Sequence, residues 1–173
     1  FYALIEERWF SMSNSMKSVL FVCTANRYRS PLAAAVFQKL LKADGKAEKW
    51  RIGSAGTWTV TGLPVIPHAF QKAQELGLNL REHSSVEVSR EILSEYGLIV
   101  VMEIGHKEGL QIEFPETRNR VYMLSEIIDH IVYDIPDPAK DLSDADEIAG
   151  DLYDLIQRGY SEICLLADEK SKA

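Results

Sequence analysis

One short stretch of the chain combines a nucleophile with groups that bind anions. It runs from Cys23 to Arg29, between the apolar run Val19–Val22 and a helical pattern that Ser30-Pro31 opens. In a loop between a strand and a helix, successive backbone N–H groups can converge on one anion, and the helix N-terminus adds positive potential. Arg29 can grip two oxygens of a tetrahedral anion, and Cys23 is expected to be a thiolate in such surroundings. The pattern predicts nucleophilic attack by Cys23 on the phosphorus of a bound phosphate group.

The segments around this loop alternate between strand and helix patterns. Buried strands are predicted at Val19–Val22, Arg51–Ser54, Leu98–Met102 and Asn119–Leu124. Helices are predicted from Ser30 to Ala43, over Pro67–Gly77, after a cap at Ser89, and as one long helix from a cap at Ser143 through Leu166. Gly53–Gly56 is predicted as a tight turn, and Asp134–Pro138 as irregular. The alternation predicts an α/β, three-layer fold with a central four-stranded parallel twisted sheet and helices on both faces. Ligands then bind beyond the carboxyl ends of the strands.

Composition excludes several classes of protein. The chain has 173 residues, with 19 Lys and Arg against 26 Asp and Glu, and the net charge of −7 argues against a general nucleic-acid binder. Two cysteines far apart, Cys23 and Cys164, exclude a disulfide framework. The histidines His68, His106 and His130 lack the spacing of metal ligands and are predicted to be surface or capping residues. No cofactor and no metal are therefore predicted.

Residues 1–15 differ in pattern from the rest of the chain. They are predicted to be an N-terminal extension that is poorly ordered, and residues 16–173 to be a single domain. These fifteen residues lack the features of a signal peptide, and no apolar run approaches the roughly 20 residues that span a bilayer. With so few cysteines, a cytoplasmic location without membrane contact is expected.

The sequence VLFVCTANRYRSPLAAAVF resembles the opening of the low-molecular-weight protein tyrosine phosphatases, whose signature is C-x(5)-R-[ST]. The resemblance continues in order along roughly Lys17–Ala167. Ser54-Ala55-Gly56-Thr57 resembles the family's S-A-G-T turn, His83 stands where the family carries a histidine, and Asp137-Pro138 resembles its D-P loop. It implies a phosphatase that acts on phosphotyrosine in proteins, or on small aryl phosphates.

The family implies a role for each matching residue. Cys23 would form a phosphocysteine intermediate, Arg29 would bind the phosphoryl oxygens, and Asp137 would be general acid and then general base. Asp134 is the alternative acid. Asn26 would take a left-handed backbone conformation supported by Ser54 and His83. The implied phosphate-binding loop consists of Thr24, Ala25, Asn26, Arg27, Tyr28, Arg29 and Ser30, with Ser30 also donating to the sulfur.

Four positions depart from the family's pattern. Ala25 replaces a usual glycine and requires a negative φ, and Tyr28 replaces a second cysteine that many members carry before the arginine. Arg27 stands where members have small or branched residues. Ala139 follows the D-P pair in place of an aromatic, so that Trp58 could supply the wall for a substrate ring instead.

Three other functions remain open from the sequence. An arsenate reductase on this fold would need resolving cysteines near the site, and only Cys164 is left. A protein-arginine phosphatase would share Cys23-Thr24, but its members carry Thr at Arg27, whose charge should repel a guanidinium group. A catalytically weak phospho-residue binding module would need no acid, which makes Cys23 together with Asp137 an argument against it. The partner is expected to be a phosphorylated protein or small phosphomonoester, and the sequence leaves the oligomeric state open.

Overall fold

The computed structural model describes residues 16–138 and 141–172. The predicted extension over residues 1–15 lies outside the described residues, and so does Ala139. The four strands are β1 (Lys17–Cys23), β2 (Trp50–Gly56), β3 (Leu98–Val101) and β4 (Val121–Met123). They form one sheet in the order β2-β1-β3-β4, and every neighbouring pair is parallel. The predicted four-stranded parallel sheet is confirmed.

Seven α-helices accompany the strands in the described part of the chain. They are α1 (Arg29–Ala43), α2 (Pro67–Glu75), α3 (Arg90–Ser94), α4 (Ile104–Glu113), α5 (Leu124–Asp129), α6 (Ala145–Arg158) and α7 (Tyr160–Ser171). Helices α4 and α5 were not expected from the sequence pattern. Ser89 caps α3 as predicted, since its hydroxyl accepts a hydrogen bond from the backbone N–H of Ile92 at 3.2 Å. None of the described helices is long and apolar enough to cross a membrane.

Alternate residues of β1 face the two sides of the sheet. Val19, Phe21 and Cys23 pack in one core with α1, α6 and α7. Leu20 and Val22 pack in a second core, with residues of α3 and α4. This burial on both faces is why β1 reads as a continuous apolar run rather than an alternating one, and it makes the fold three layers deep.

The prediction of a tight turn at Gly53–Gly56 is wrong, because β2 continues to Gly56. These glycines instead allow neighbouring atoms to lie close to the β2 backbone. A Cβ atom on Gly53 would lie 2.2 Å from the Tyr96 hydroxyl, and one on Gly56 would lie 2.6 Å from the carbonyl oxygen of Thr24. Gly56 therefore lets the end of β2 press directly against the loop that follows β1.

The single long helix predicted from Ser143 is also wrong. Helices α6 and α7 are separated at Gly159, where a Cβ atom would lie 2.2 Å from a side-chain carbon of Ile128. Helix α6 begins after Asp144, and Ser143 lies in the preceding 3₁₀ turn Leu142–Asp144. The pattern of apolar residues continues through the break, so periodicity alone did not reveal it.

Candidate active site

The Cys23–Arg29 loop lies at the carboxyl edge of the sheet, between β1 and α1. Because β1 has a neighbour on each side, the loop is flanked by the ends of β2 and β3. Cys23 pairs in register with Gly56, and the backbone N–H groups of Thr57 and Trp58 donate to the carbonyl oxygens of Cys23 and Thr24 at 2.9 and 3.0 Å. The segment after β2 thus fixes the first half of the loop.

The Cys23 thiol is almost fully buried, with 2% of the residue exposed. Its Sγ lies 3.0 Å from the Oγ of Ser30 in the first turn of α1. Ser30 Oγ also accepts a hydrogen bond from Asn26 Nδ2 at 2.8 Å. The Ser30 hydroxyl can therefore donate a hydrogen bond to the sulfur, and it also lies 3.3 Å from the carbonyl oxygen of Ala55.

Asn26 supports the loop from inside. Its φ of 55° is left-handed, and Asn tolerates this region better than most residues. The side-chain amide donates to Ser54 Oγ at 2.9 Å and accepts from the backbone N–H of Val86 at 2.9 Å. His83 Nε2 donates to the Asn26 carbonyl oxygen at 2.7 Å. Burial lowers the pKa of His83, which keeps that ring neutral. The structure thus brings Ser54 and His83 to Asn26, as the family resemblance implied.

The Arg29 guanidinium is 99% buried and lies between two carboxylates. Nη1 donates to Glu103 Oε1 at 2.5 Å and to the carbonyl oxygen of Ile135 at 2.7 Å. Nη2 lies 3.0 Å from Asp137 Oδ2 and 3.4 Å from Thr24 Oγ1. A buried guanidinium requires such pairing, and these bonds hold its planar fork in one orientation.

Asp137 reaches this pocket through the irregular segment Asp134–Pro138. The N–H of Ile135 donates to the carbonyl oxygen of Met102, which joins the segment to the end of β3 at 2.9 Å. Asp134 instead accepts from the backbone N–H of Ile104 at 2.7 Å, at the start of α4. Of the two predicted candidates for the acid, Asp137 is the one that contacts Arg29.

The departures from the family pattern occupy three different environments. Ala25 has no positive φ, so its methyl group fits. Tyr28 is buried, its hydroxyl donates to the Ala145 carbonyl at 2.6 Å, and burial followed by the charge of Asp146 raises its pKa to about 12. Arg27 is partly exposed, and its Nε donates to the Pro64 carbonyl at 2.8 Å. Trp58, proposed from the sequence as a substrate wall, is 82% exposed.

Sequence reasoning placed the segment Met102–His106 at this edge of the sheet but gave no role at the site to Glu103 or His106. Glu103 is the second residue after β3, and His106 is buried in the first turn of α4. Of the two predicted alternatives for His106, surface or capping, the structure shows capping, because the buried ring accepts at Nδ1 from the Glu103 N–H at 3.2 Å. The signal that could have found them is a Glu-x-x-His spacing right after a buried strand. Among the residues that the structure describes, no cluster of three or more His, Cys, Asp or Glu could hold a metal ion.

A thiol and a guanidinium on one loop between a strand and a helix, with a carboxyl group in contact with the guanidinium, fit a cysteine-dependent phosphatase. Comparison with known families identifies which one: the chain belongs to the low molecular weight phosphotyrosine protein phosphatase family, whose model matches residues 18–170. The family predicted from the sequence is confirmed.

Individual relatives agree with this assignment. A probable low molecular weight protein-tyrosine-phosphatase EpsP of Ralstonia nicotianae is 30% identical over 144 residues, 83% of this chain and 91% of that protein. A protein-arginine-phosphatase of Bacillus subtilis is 30% identical over 120 residues, 69% of this chain and 78% of that protein. The crystal structure of a low molecular weight protein tyrosine phosphatase from T. tengcongensis has a TM-score of 0.75 at 31% identity, covering 82% of this chain and 95% of that chain.

Proposed function

We propose that the protein hydrolyses phosphotyrosine in proteins, or small aryl phosphates, through a phosphocysteine intermediate at Cys23. The observation that carries the proposal is the contact between Asp137 and Arg29, because it places a carboxyl group at the guanidinium of the loop that begins with the Cys23 thiol. The loop supplies anion binding, and Asp137 supplies the proton transfer that an aryl leaving group needs.

Two steps account for the reaction. In the first, the Cys23 thiolate attacks phosphorus, the bond between phosphorus and the leaving oxygen breaks, and Asp137 gives its proton to that oxygen. In the second, Asp137 as a carboxylate takes a proton from water while the water oxygen attacks phosphorus. The bond between phosphorus and sulfur then breaks and releases phosphate and the Cys23 thiolate. Arg29 and the loop amides hold the equatorial oxygens throughout.

Phosphotyrosine is favoured over phosphoarginine by the charge of Arg27. Its guanidinium is held at the Pro64 carbonyl beside the loop, where a phosphorylated guanidinium group would meet a like charge. The exposed indole of Trp58 follows Thr57 directly and can pack against a phenol ring. A protein-arginine phosphatase is the second candidate, because two of the relatives carry that name.

An arsenate reductase mechanism is disfavoured by the position of Cys164. Cys164 lies on α7 one turn before Asp168, whose carboxylate pairs at 2.7 Å with Lys17, the first residue of β1. Cys23 is the last residue of the same strand, and seven residues of strand span roughly 20 Å. Burial also raises the pKa of the Cys164 thiol. A cytoplasmic location and the absence of nucleic-acid and membrane partners remain predictions from the sequence.

The test is hydrolysis of p-nitrophenyl phosphate, followed by phosphotyrosine, phosphoserine and phosphoarginine peptides. Cys23→Ser should abolish turnover while phosphate still binds, because a serine hydroxyl stays protonated at neutral pH. Cys164→Ser is the matched control and should retain full activity. Retained turnover in Cys23→Ser would contradict the phosphocysteine mechanism.

A further inference from the structure

The first turn of α4 contacts the phosphate loop at two points. We propose that Glu103 and His106 are positioning residues of the phosphatase reaction: Glu103 aims the Arg29 guanidinium, and His106 orients the Thr24 hydroxyl toward bound phosphate. The inference rests on the proposed function, since it concerns how the same pocket is held in its working geometry.

Glu103 acts on the side of Arg29 that faces away from Asp137. Its Oε1 accepts a hydrogen bond from Arg29 Nη1, and the Ile135 carbonyl oxygen accepts another from the same nitrogen. Both bonds lie on one edge of the guanidinium, and Nη2 remains on the other edge, with Asp137 and Thr24. Because the guanidinium is planar, fixing Nη1 fixes the direction in which Nη2 presents its hydrogens. Glu103 therefore decides where the phosphate-binding edge of Arg29 points.

The hydrogen bonds of His106 define its tautomer. Nδ1 accepts from the backbone N–H of Glu103, so in the neutral ring the proton is on Nε2. Nε2 then donates to Thr24 Oγ1 at 2.9 Å. The residue is 93% buried, and its ring is thus a fixed link between the start of α4 and the loop, 82 positions away along the chain.

The Thr24 hydroxyl consequently has its donor proton available for a further hydrogen bond. It accepts from His106 Nε2 and, at a longer distance, from Arg29 Nη2. The proton of the Thr24 hydroxyl itself remains available, and it can be donated to an oxygen of a phosphate group bound in the same loop. A donor that is already oriented needs no rearrangement as charge develops in the transition state.

Charge gives a second reason for testing Glu103 closely. Arg29 carries one positive charge, and Glu103 and Asp137 both contact it. Glu103 therefore weakens the attraction of the pocket for a phosphate dianion, an effect opposite to what an anion site needs. The presence of Glu103 is explained if its function is to orient the Arg29 guanidinium rather than to supply charge. A neutral acceptor of the same length should then replace it.

The experiment compares Glu103→Ala with Glu103→Gln, and His106→Phe with His106→Gln. Both glutamine variants keep the required hydrogen-bonding group, an acceptor for Arg29 in one case and an N–H for Thr24 in the other. The kcat and KM for p-nitrophenyl phosphate are measured in the otherwise wild-type protein. The dissociation constant of inorganic phosphate is measured by calorimetry in the Cys23→Ser background. Glu108→Ala, on the exposed face of α4, is the matched control and should match wild type.

Glu103→Ala should lower kcat/KM and weaken phosphate binding by about 10-fold to 100-fold, the range for losing a charged hydrogen bond. Glu103→Gln should stay within about threefold of wild type and bind phosphate no more weakly. His106→Phe and Thr24→Val should each lower kcat by roughly 3-fold to 10-fold, and their effects should not add, because both break the same bond. His106→Gln should restore most of the loss.

Two results would overturn the inference. One is Glu103→Gln as impaired as Glu103→Ala, which makes charge rather than position the cause. The other is additive losses for His106→Phe and Thr24→Val. Thermal unfolding of each variant identifies any loss of activity that misfolding causes. If Glu103→Ala or His106→Phe misfolds, the comparison of the glutamine variants with wild type tests the inference. If the wild-type protein binds phosphate but shows no turnover, the proposed function alone is contradicted. The phosphate affinities of the variants then still test whether Glu103 and His106 position the loop.

Discussion

Asp137 Oδ2 lies 3.0 Å from Arg29 Nη2, on the edge of the guanidinium that faces the loop. The carboxylate therefore occupies a donor that a bound phosphate group would use. In the proposed mechanism, phosphate oxygens would replace Asp137 at Nη2, and the Asp137 carboxyl would turn to the leaving oxygen. The segment that carries Asp137 is attached through Ile135 to Met102, the residue after β3, and through Asp134 to the start of α4.

Replacing Asp137 with Asn should lower kcat by roughly 10²–10⁴ for a tyrosyl phosphate, the usual contribution of a positioned acid and base. For p-nitrophenyl phosphate the first step needs little protonation, so a burst of nitrophenol with slow turnover is expected. An Asn amide can still accept from Nη2 but has no negative charge to compete with phosphate, so inorganic phosphate should inhibit the variant at lower concentration.

Asp134→Asn is the matched control for this prediction. Its carboxylate accepts from the N–H of Ile104, and an amide oxygen can still accept that bond. Turnover near wild type in Asp137→Asn, with a large loss in Asp134→Asn, would exchange the two roles. Pre-steady-state kinetics with both substrates distinguishes these outcomes.

Exchanging Arg27 for Thr should shift the substrate preference toward phosphoarginine. Removing the positive charge beside the loop removes repulsion of a guanidinium leaving group, so the ratio of kcat/KM for phosphoarginine to that for phosphotyrosine should rise on the order of tenfold. The measurement uses two peptides that differ only in the phosphorylated residue. Arg118→Thr, at the exposed turn before β4, should leave the ratio unchanged. A lower ratio in Arg27→Thr would show that Arg27 assists the phosphoarginine substrate.

Peroxide should inactivate the protein in a way that dithiothreitol reverses poorly. Oxidation of the Cys23 thiolate gives a sulfenic acid, and a neighbouring thiol is what normally converts it to a reducible disulfide. The loop has Tyr28 in place of that thiol, and Cys164 lies on α7, which contacts the opposite end of β1 through the Lys17–Asp168 ion pair. Mass spectrometry should find sulfinic acid at Cys23, and Cys164→Ser should behave identically. Recovery through a Cys23–Cys164 disulfide would contradict this expectation.

Stability should fall on the acid side of neutrality because of two histidines. Burial is the main cause that lowers the pKa of His83 and of His106 below the ordinary value of 6.5. The unfolded chain then binds more protons than the folded one, so the free energy of unfolding decreases as the pH falls from about 6.5 toward the folded-state values. Above this window the contribution is complete and constant.

Urea denaturation between pH 5 and 7.5 measures this slope, to which each histidine contributes at most about 1.4 kcal/mol per pH unit. His83→Gln and His106→Gln should each flatten the curve, and the double variant should flatten it further. An unchanged slope in the double variant would mean that other groups cause the pH dependence.

The contiguous part of the site could be predicted from the sequence. Cys23, Arg29 and Ser30 belong to one strand-loop-helix unit, and the types and spacing of neighbouring residues decide its local conformation. The apolar runs of β1 and β3 also predict the parallel sheet, because only strands buried on both faces lack polar positions. The left-handed conformation of Asn26 follows from the residue type together with the family resemblance.

Only the tertiary structure decided what surrounds that unit. Glu103 reaches Arg29 across 74 positions of sequence because β1 and β3 pair in register, Val22 opposite Val101, which brings the start of α4 to the loop. Gly53 and Gly56 looked like a turn, and Gly159 lay unnoticed within a helical pattern, because what requires each of them is a distant atom of Tyr96, Thr24 or Ile128. A periodic pattern of apolar residues indicates which face of a helix or strand is buried, but not which atoms of other elements contact that face. Such contacts decide where a helix ends, as at Gly159, and how a side chain such as Arg29 is oriented.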